Sequence, residues 1–121
     1  PGQGKYSSLE NAETLQKKLA QQDIWAKIYR LQSAHDIAET YDTMIKIYRE
    51  AATKYQLNPE DLIADYTGGP KPMTVGMLLA STEKGISLQY MEPNEIGDDG
   101  RVIKSAGSTA RPVNLTFLPQ E

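Results

Sequence analysis

The sequence predicts an α/β domain, with a mainly parallel sheet, flanking helices and a small β extension toward the C-terminus. Three observations predict it. Apolar spacing switches between the helical and the strand period along the chain. A pair of glycines separates a short apolar segment from a helical one, as at a strand-to-helix turn. The composition, 39 % hydrophobic and 24 % charged, is that of a globular chain and not of a disordered one.

The elements follow in order. Pro1 to Ser8 is a Gly- and Ser-rich loop. Leu9 to Gln21 is a helix, with Leu9, Ala12, Leu15 and Leu19 near the helical period, Ser8 as N-cap, and Glu10 and Glu13 in the first turns. Ile24 to Leu31 alternates and is rich in β-branched and aromatic residues, so it predicts a strand. Ala34 to Tyr55 is the strongest helix: Ile37, Tyr41, Met44, Ile45, Tyr48, Ala52 and Tyr55 form one apolar stripe. Ser33 is its expected N-cap, and Asn58-Pro59 its stop. Leu62 to Asp65 reads as a buried strand. Pro70 and Pro72 open a helix over Lys71 to Thr82, where a missing N–H costs little. Gly85 ends that helix. Ile86 to Met91 alternates as a strand. Asp98-Asp99-Gly100 is a turn. Arg101 to Lys104 and Val113 to Leu118 read as short terminal strands joined by a loop. Alternating helices and strands predict parallel pairing with right-handed crossovers. The opening loop would be expected to follow a strand, which is missing from this chain or lies upstream of Pro1. The start at Pro1, without methionine, reads as a piece of a larger protein or as a chain processed at its start.

Composition narrows the function. The 121 residues suit one small domain, spanning 1–121, whose core a second subunit would reinforce. No apolar run approaches the roughly 20 residues that span a bilayer. No signal peptide is visible, and a cytoplasmic address is the default. The absence of cysteine removes disulfides and thiolate metal sites, and one histidine, His35, cannot build a multi-histidine centre. No metal and no cofactor are implied. The net charge of −3 argues against a protein that wraps long nucleic acid, while a small anion in a local pocket remains compatible.

The segment that carries chemistry is Asp65-Tyr66-Thr67-Gly68-Gly69-Pro70-Lys71-Pro72-Met73. Ligands of open α/β sheets sit outside the carboxyl ends of the strands. Helix N-termini there attract phosphate. Two glycines allow a close approach to the backbone, Lys71 adds positive charge, and the Thr67 hydroxyl adds a donor and acceptor. The G-x-x-x-x-G-K-[ST] spacing of a nucleotide-triphosphate loop is absent. Read by spacing alone, Thr67 to Lys71 is equally a plain turn with a solvated lysine. His35 reads as an exposed helix-start residue. Tyr41, Tyr48, Tyr55 and Trp25 read as packing residues. Asp98-Asp99 reads as a solvated turn, and Asp65 as a cap on the turn after it.

Asp-x-Thr-Gly-Gly-x-Lys-x-Met after a buried strand resembles the signature of CRISPR-associated Rossmann fold (CARF) domains, the sensors of type III CRISPR ancillary proteins. The match runs through Asp65, Thr67, Gly68, Gly69, Lys71 and Met73, with a Tyr90-x-Glu92 strand end further on, and the resemblance covers most of the chain. It implies a Rossmann-like fold and a homodimer, with further pairing of dimers left open, that binds a ring-shaped oligoadenylate across its two-fold axis. Cyclic tetra-adenylate is the first expectation. The glycine-lysine loop, with Thr67, Gly68, Gly69, Pro70, Lys71 and Met73, would share the ligand with the opening loop, through Gly2, Gln3, Gly4, Lys5 and Ser7. By the same similarity Ser33 to Asp36 would join the rim. The family's usual second threonine is Pro70 here, which supplies neither N–H nor hydroxyl. That departure weighs against ring cleavage, for which Ser7 or Ser8 with Lys71 would be the candidates, and the expected role is sensing without catalysis. An effector outside this chain would receive the signal. An N-terminal transmembrane helix not present here is one such effector and would tether the full-length protein to the inner membrane. Ring nuclease and generic nucleotide-binding domain stand as the alternatives.

Overall fold

The computed structural model describes residues 8–113. The chain forms two compact units, Pro1–Gln32 and Ser33–Glu121, and each is taken by itself.

In the first unit, α1 spans Ser8–Ala20, with Glu10 in its first turn and Lys17 and Lys18 in its last, each opposing the partial charge of its helix end. The expected N-cap, Ser8, is itself the first helical residue. No residue of α1 is fully buried, and Leu15 is 56 % exposed. After the helix, Asp23 takes a positive φ of 62° and the Ile24 N–H donates to the Leu19 carbonyl at 2.9 Å, closing the turn. Gln16 Nε2 then donates to the Ala26 carbonyl at 2.8 Å. The expected strand over 24–31 is not among the elements assigned to the described residues. Alternation marks a segment fit for a sheet, but a ladder of hydrogen bonds defines a strand. Trp25, expected to pack, is 68 % exposed.

The second unit holds the sheet. Its first helix, α2, spans Ile37–Thr53. Asp36, not Ser33, is its N-cap: the Asp36 carboxylate accepts from the Glu39 N–H at 3.0 Å. Glu39 in turn accepts from the Ser33 N–H at 2.9 Å, and Ser33 Oγ from the His35 N–H at 3.2 Å. The helix thus starts at the first residue of its apolar stripe, Ile37, and not at the predicted Ala34, because the aspartate satisfies an end N–H there. A 3-10 turn over Pro59–Asp61 leads into β1, Ile63–Asp65. Then come α3, Lys71–Lys84, and β2, Ser87–Pro93.

β1 and β2 are parallel, with Ala64 opposite Leu88, so β1–α3–β2 is one crossover unit as expected. β3, Ser108–Val113, pairs antiparallel with β2, from Leu88 opposite Val113 to Pro93 opposite Ser108. The sheet order is β1-β2-β3, so the described fold is mixed α/β with a mixed sheet.

Three expectations change at the C-terminal side. The loop expected over 106–112 is mostly β3. The strand expected over Arg101 to Lys104 reduces to one bridge, Ile96 with Val102, followed by a 3-10 turn at Lys104–Ala106. Of the strand expected over Val113 to Leu118, only Val113 is a described residue, and it is the last residue of β3. β3 lacks an apolar alternation because almost every side chain on it is exposed; its backbone ladder with β2 holds it. Pro112 sits on this strand, which has no further strand beside it in the described sheet, where a missing N–H is tolerated.

One sheet face is packed. Tyr48, Ala64, Ala80, Ile86 and Leu88 form the core, with Met44, Ile45, Leu62, Tyr66, Met77 and Val113 around it. Burying Leu88 alone contributes about 1.5–3 kcal/mol. α2 and α3 cross closely at Gly76, where a Cβ would meet Thr40 Cβ at 2.7 Å and the Ile37 carbonyl at 2.9 Å. A glycine is needed there for the two backbones to approach. Deeper in the crossing the Tyr48 hydroxyl and Ser81 Oγ share a hydrogen bond of 2.6 Å, which satisfies both buried groups. Burial raises the Tyr48 pKa, and the bond to Ser81 offsets part of that rise. Of the other stripe tyrosines, Tyr41 donates to Glu83, which raises its pKa, and Tyr55 is 38 % exposed.

Candidate functional site

The glycine-lysine segment lies where a crossover unit presents a loop to ligands, between the carboxyl end of β1 and the first turn of α3. Its start is tied down by a compact set of bonds. Asp65 Oδ1 accepts from the Thr67 N–H at 2.9 Å, a side-chain turn of the kind aspartate favours. Asp65 Oδ2 accepts from Gln89 Nε2 at 2.9 Å across the β1–β2 register. Thr67 Oγ1 accepts from the Met91 N–H at 2.7 Å, joining the loop to β2. The Tyr66 N–H adds a bond of 3.1 Å to the Gln89 carbonyl. Hydrogen bonds from the Thr67 side chain, Gln89 and the Thr67 backbone hold the Asp65 carboxyl below its ordinary pKa. Asp65 therefore caps the turn, as expected. The Thr67 hydroxyl works within the loop, between the Asp65 carboxylate and the β2 backbone.

Beyond this latch the loop opens. Gly68 has no atom within 4 Å of where a Cβ would stand. Gly69 has φ +95°, a conformation that side chains disfavour, and a Cβ there would run into the Met73 methyl. Met73 therefore folds back over Gly69 as a lid on the turn. Pro70 is the N-cap residue of α3 and gives no side-chain bond; the first helical bond runs from the Thr74 N–H to the Pro70 carbonyl at 3.1 Å. The N–H groups of Gly68, Gly69, Lys71 and Met73 find no acceptor among the described residues. Lys71 is exposed and its side chain makes no ion pair among them. Open N–H donors, a helix N-terminus and one ammonium group make this spot chemically suited to phosphate oxygen.

Of the other expected contacts, Gly2, Gln3, Gly4, Lys5 and Ser7 lie outside the described residues. Ser8 is exposed at the start of α1. Ser33, His35 and Asp36 form the turn that begins α2, with Ser33 and Asp36 held by the capping bonds. This turn leads into Ile37, whose carbonyl faces Gly76 in α3, so α2 starts beside the early turns of α3. Among the described residues no cluster of histidine and carboxylate could hold a metal ion.

Two features escaped the sequence reading. Gln89 completes the Asp65 latch, and only the sheet register brings it there. Tyr66 and Tyr90 stand with ring centroids 5.8 Å apart at 39°, beside the same strand ends. The one signal for the second feature was the Tyr90-x-Glu92 strand end; Glu92 pairs with Arg111 across β2 and β3.

The unit also has a pocket, at the other end of the sheet. It measures about 260 Å³ and lies among Ile45, Tyr48, Leu57, Leu62 and Ile86, with Arg49 and Lys84 at its side. Leu62 and Ile86 precede β1 and β2, so the pocket faces the amino ends of the strands. At the glycine-lysine loop, Gly68, Gly69 and Lys71 are exposed. The loop is the better candidate for the first site, because its N–H groups and lysine are groups that recognise a ligand.

Comparison of the chain with protein-family models gives no match, and neither does comparison with curated protein sequences.

Proposed function

We propose that the chain is a sensor domain of Rossmann-like type for a cyclic oligoadenylate, with cyclic tetra-adenylate as the preferred ring. In this reading the ring binds across a homodimer axis, and its binding controls an attached effector in type III CRISPR antiviral defence. A two-fold dimer suits a symmetric ring, because both subunits offer the same groups. The effector lies outside this chain and is, in the fullest form of the proposal, a membrane-spanning segment; no helix among the described residues is long and apolar enough to cross a membrane.

The observation that carries the reading is the loop itself. Asp65 and Thr67 lock the turn to β2. Gly68 and Lys71 remain exposed beyond it, at the carboxyl end of a parallel strand. A preorganised turn loses less freedom on binding a phosphodiester than a loose one would. Pro70 removes one donor from the loop, which favours holding the ring over cutting it.

The test is calorimetric titration with cyclic tri-, tetra- and hexa-adenylate, against linear tetra-adenylate and ATP. Tight binding of one ring per two chains supports the sensor. Equal binding of ATP and the rings turns the reading into a general nucleotide-binding domain. Linear product recovered after incubation turns it into a ring nuclease. Lys71→Ala is expected to weaken ring binding by about 1.5–3 kcal/mol, the range of a charge-assisted hydrogen bond, with an unchanged melting temperature.

A further inference from the structure

The pocket at the amino ends of the strands has a different chemistry from the loop. Ile45, Leu57, Leu62 and Ile86 give it an aliphatic wall, and the ring of Tyr48, whose hydroxyl is engaged with Ser81, adds to it. Arg49, on α2, and Lys84, at the end of α3, both border it, and no carboxylate does. Neither cation has an ion-pair partner among the described residues. Arg49 is exposed on the last turns of α2 and Lys84 is the exposed last helical residue of α3, so both charges stay in water at the rim beside the aliphatic wall.

We infer that this pocket is a second binding site, for a small aliphatic carboxylate, with the alkyl chain on the wall and the carboxylate between Arg49 and Lys84. The volume of about 260 Å³ admits a short acid and not a long-chain lipid. Ligand pockets of this kind are largely apolar with a few charged groups that fix orientation. Two cations with no ion-pair partner among the described residues, beside an apolar wall, select an anionic head, and the guanidinium can grip a carboxylate with two parallel bonds. The wall carries one aromatic ring, so an alkyl body fits it better than a stacked base or aromatic acid. The site is independent of the nucleotide reading, since it shares no residue with the loop.

The test uses the full chain and octanoate, with octanol as the uncharged analogue and acetate as the charge without a tail. Amide chemical shifts and calorimetry follow each titration. Saturable binding of octanoate, one per chain, with shifts centred on Leu57, Leu62 and Ile86, is expected; octanol and acetate should bind at least tenfold more weakly. Arg49→Gln with Lys84→Gln changes two surface residues and should bring octanoate down to the level of octanol. Ala52→Trp, which fills the pocket from its border, should abolish binding of both, with helix content confirming the fold. Lys71→Ala should leave octanoate binding unchanged, whether or not it affects ring binding. No saturable binding, shifts centred elsewhere, or equal affinity in the double variant would overturn the assignment.

Discussion

The two ends of the β1–α3–β2 unit contrast in how they meet solvent. At the carboxyl ends of the strands, Asp65, Thr67 and Gln89 spend their polar atoms on one another, and the backbone beyond them stays open. At the amino ends, aliphatic side chains leave a cavity with charge only at its rim. Strand direction explains the difference. In a parallel unit the helix after the first strand starts at the carboxyl ends, with free N–H groups, and finishes at the amino ends, where its carbonyls must be capped. Here Gly85 does that capping: its N–H and the Ile86 N–H return to the last turn of α3. One end of the unit therefore presents free backbone N–H groups, and the other depends on side chains alone.

The comparison breaks most severely if the layer between the ends is removed. Leu88→Ala is expected to cost about 2–5 kcal/mol, because Leu88 is 3 % exposed and central to the core. Denaturant unfolding should show both ends lost in one transition. Gly69→Ala acts on the carboxyl end only. It places a side chain at φ +95° and displaces the Met73 methyl, and should cost about 1–3 kcal/mol in thermal unfolding. Tyr48→Phe acts on the amino end. It strands the buried Ser81 hydroxyl and should cost about 1–2 kcal/mol, while leaving any ligand bound at the loop unaffected.

The smallest effect sharpens the account of the latch. The Asp65 carboxyl has a folded pKa below its unfolded value, so its bonds stabilise the fold above the unfolded value, near 3.9. That contribution falls away as pH drops through the folded pKa. Because Asp65 is exposed, the effect on global stability is expected to be slight and best seen locally. The Thr67 amide resonance should shift with acidification in the native chain and not in Asp65→Asn.

The helices were legible because each writes its own hydrogen bonds and needs only a stripe to be recognised. The α2 stripe is real, yet its start was read one turn early, since Ser33, Asp36 and Glu39 all form capping bonds and only their mutual geometry selects Asp36. The loop motif was legible as residues, and so was the role of Asp65. The role of Thr67 was not, because its partner is a backbone N–H of β2 that lies 24 positions away.

By itself the sequence determined the local periods: three helices, the short strand before the glycine pair, the crossover to the strand after Gly85, and the turn at Asp98 to Gly100. These depend on side-chain spacing, proline and glycine, which act over a few residues. Only the tertiary structure decided that Ser108 to Val113 is a strand, that Gln89 stands against Asp65, and that Arg49 and Lys84 border the same cavity. Each of these rests on register or on the packing of distant segments. An exposed strand such as β3 carries no burial pattern, so the partner that pairs with it is the only thing that makes it one.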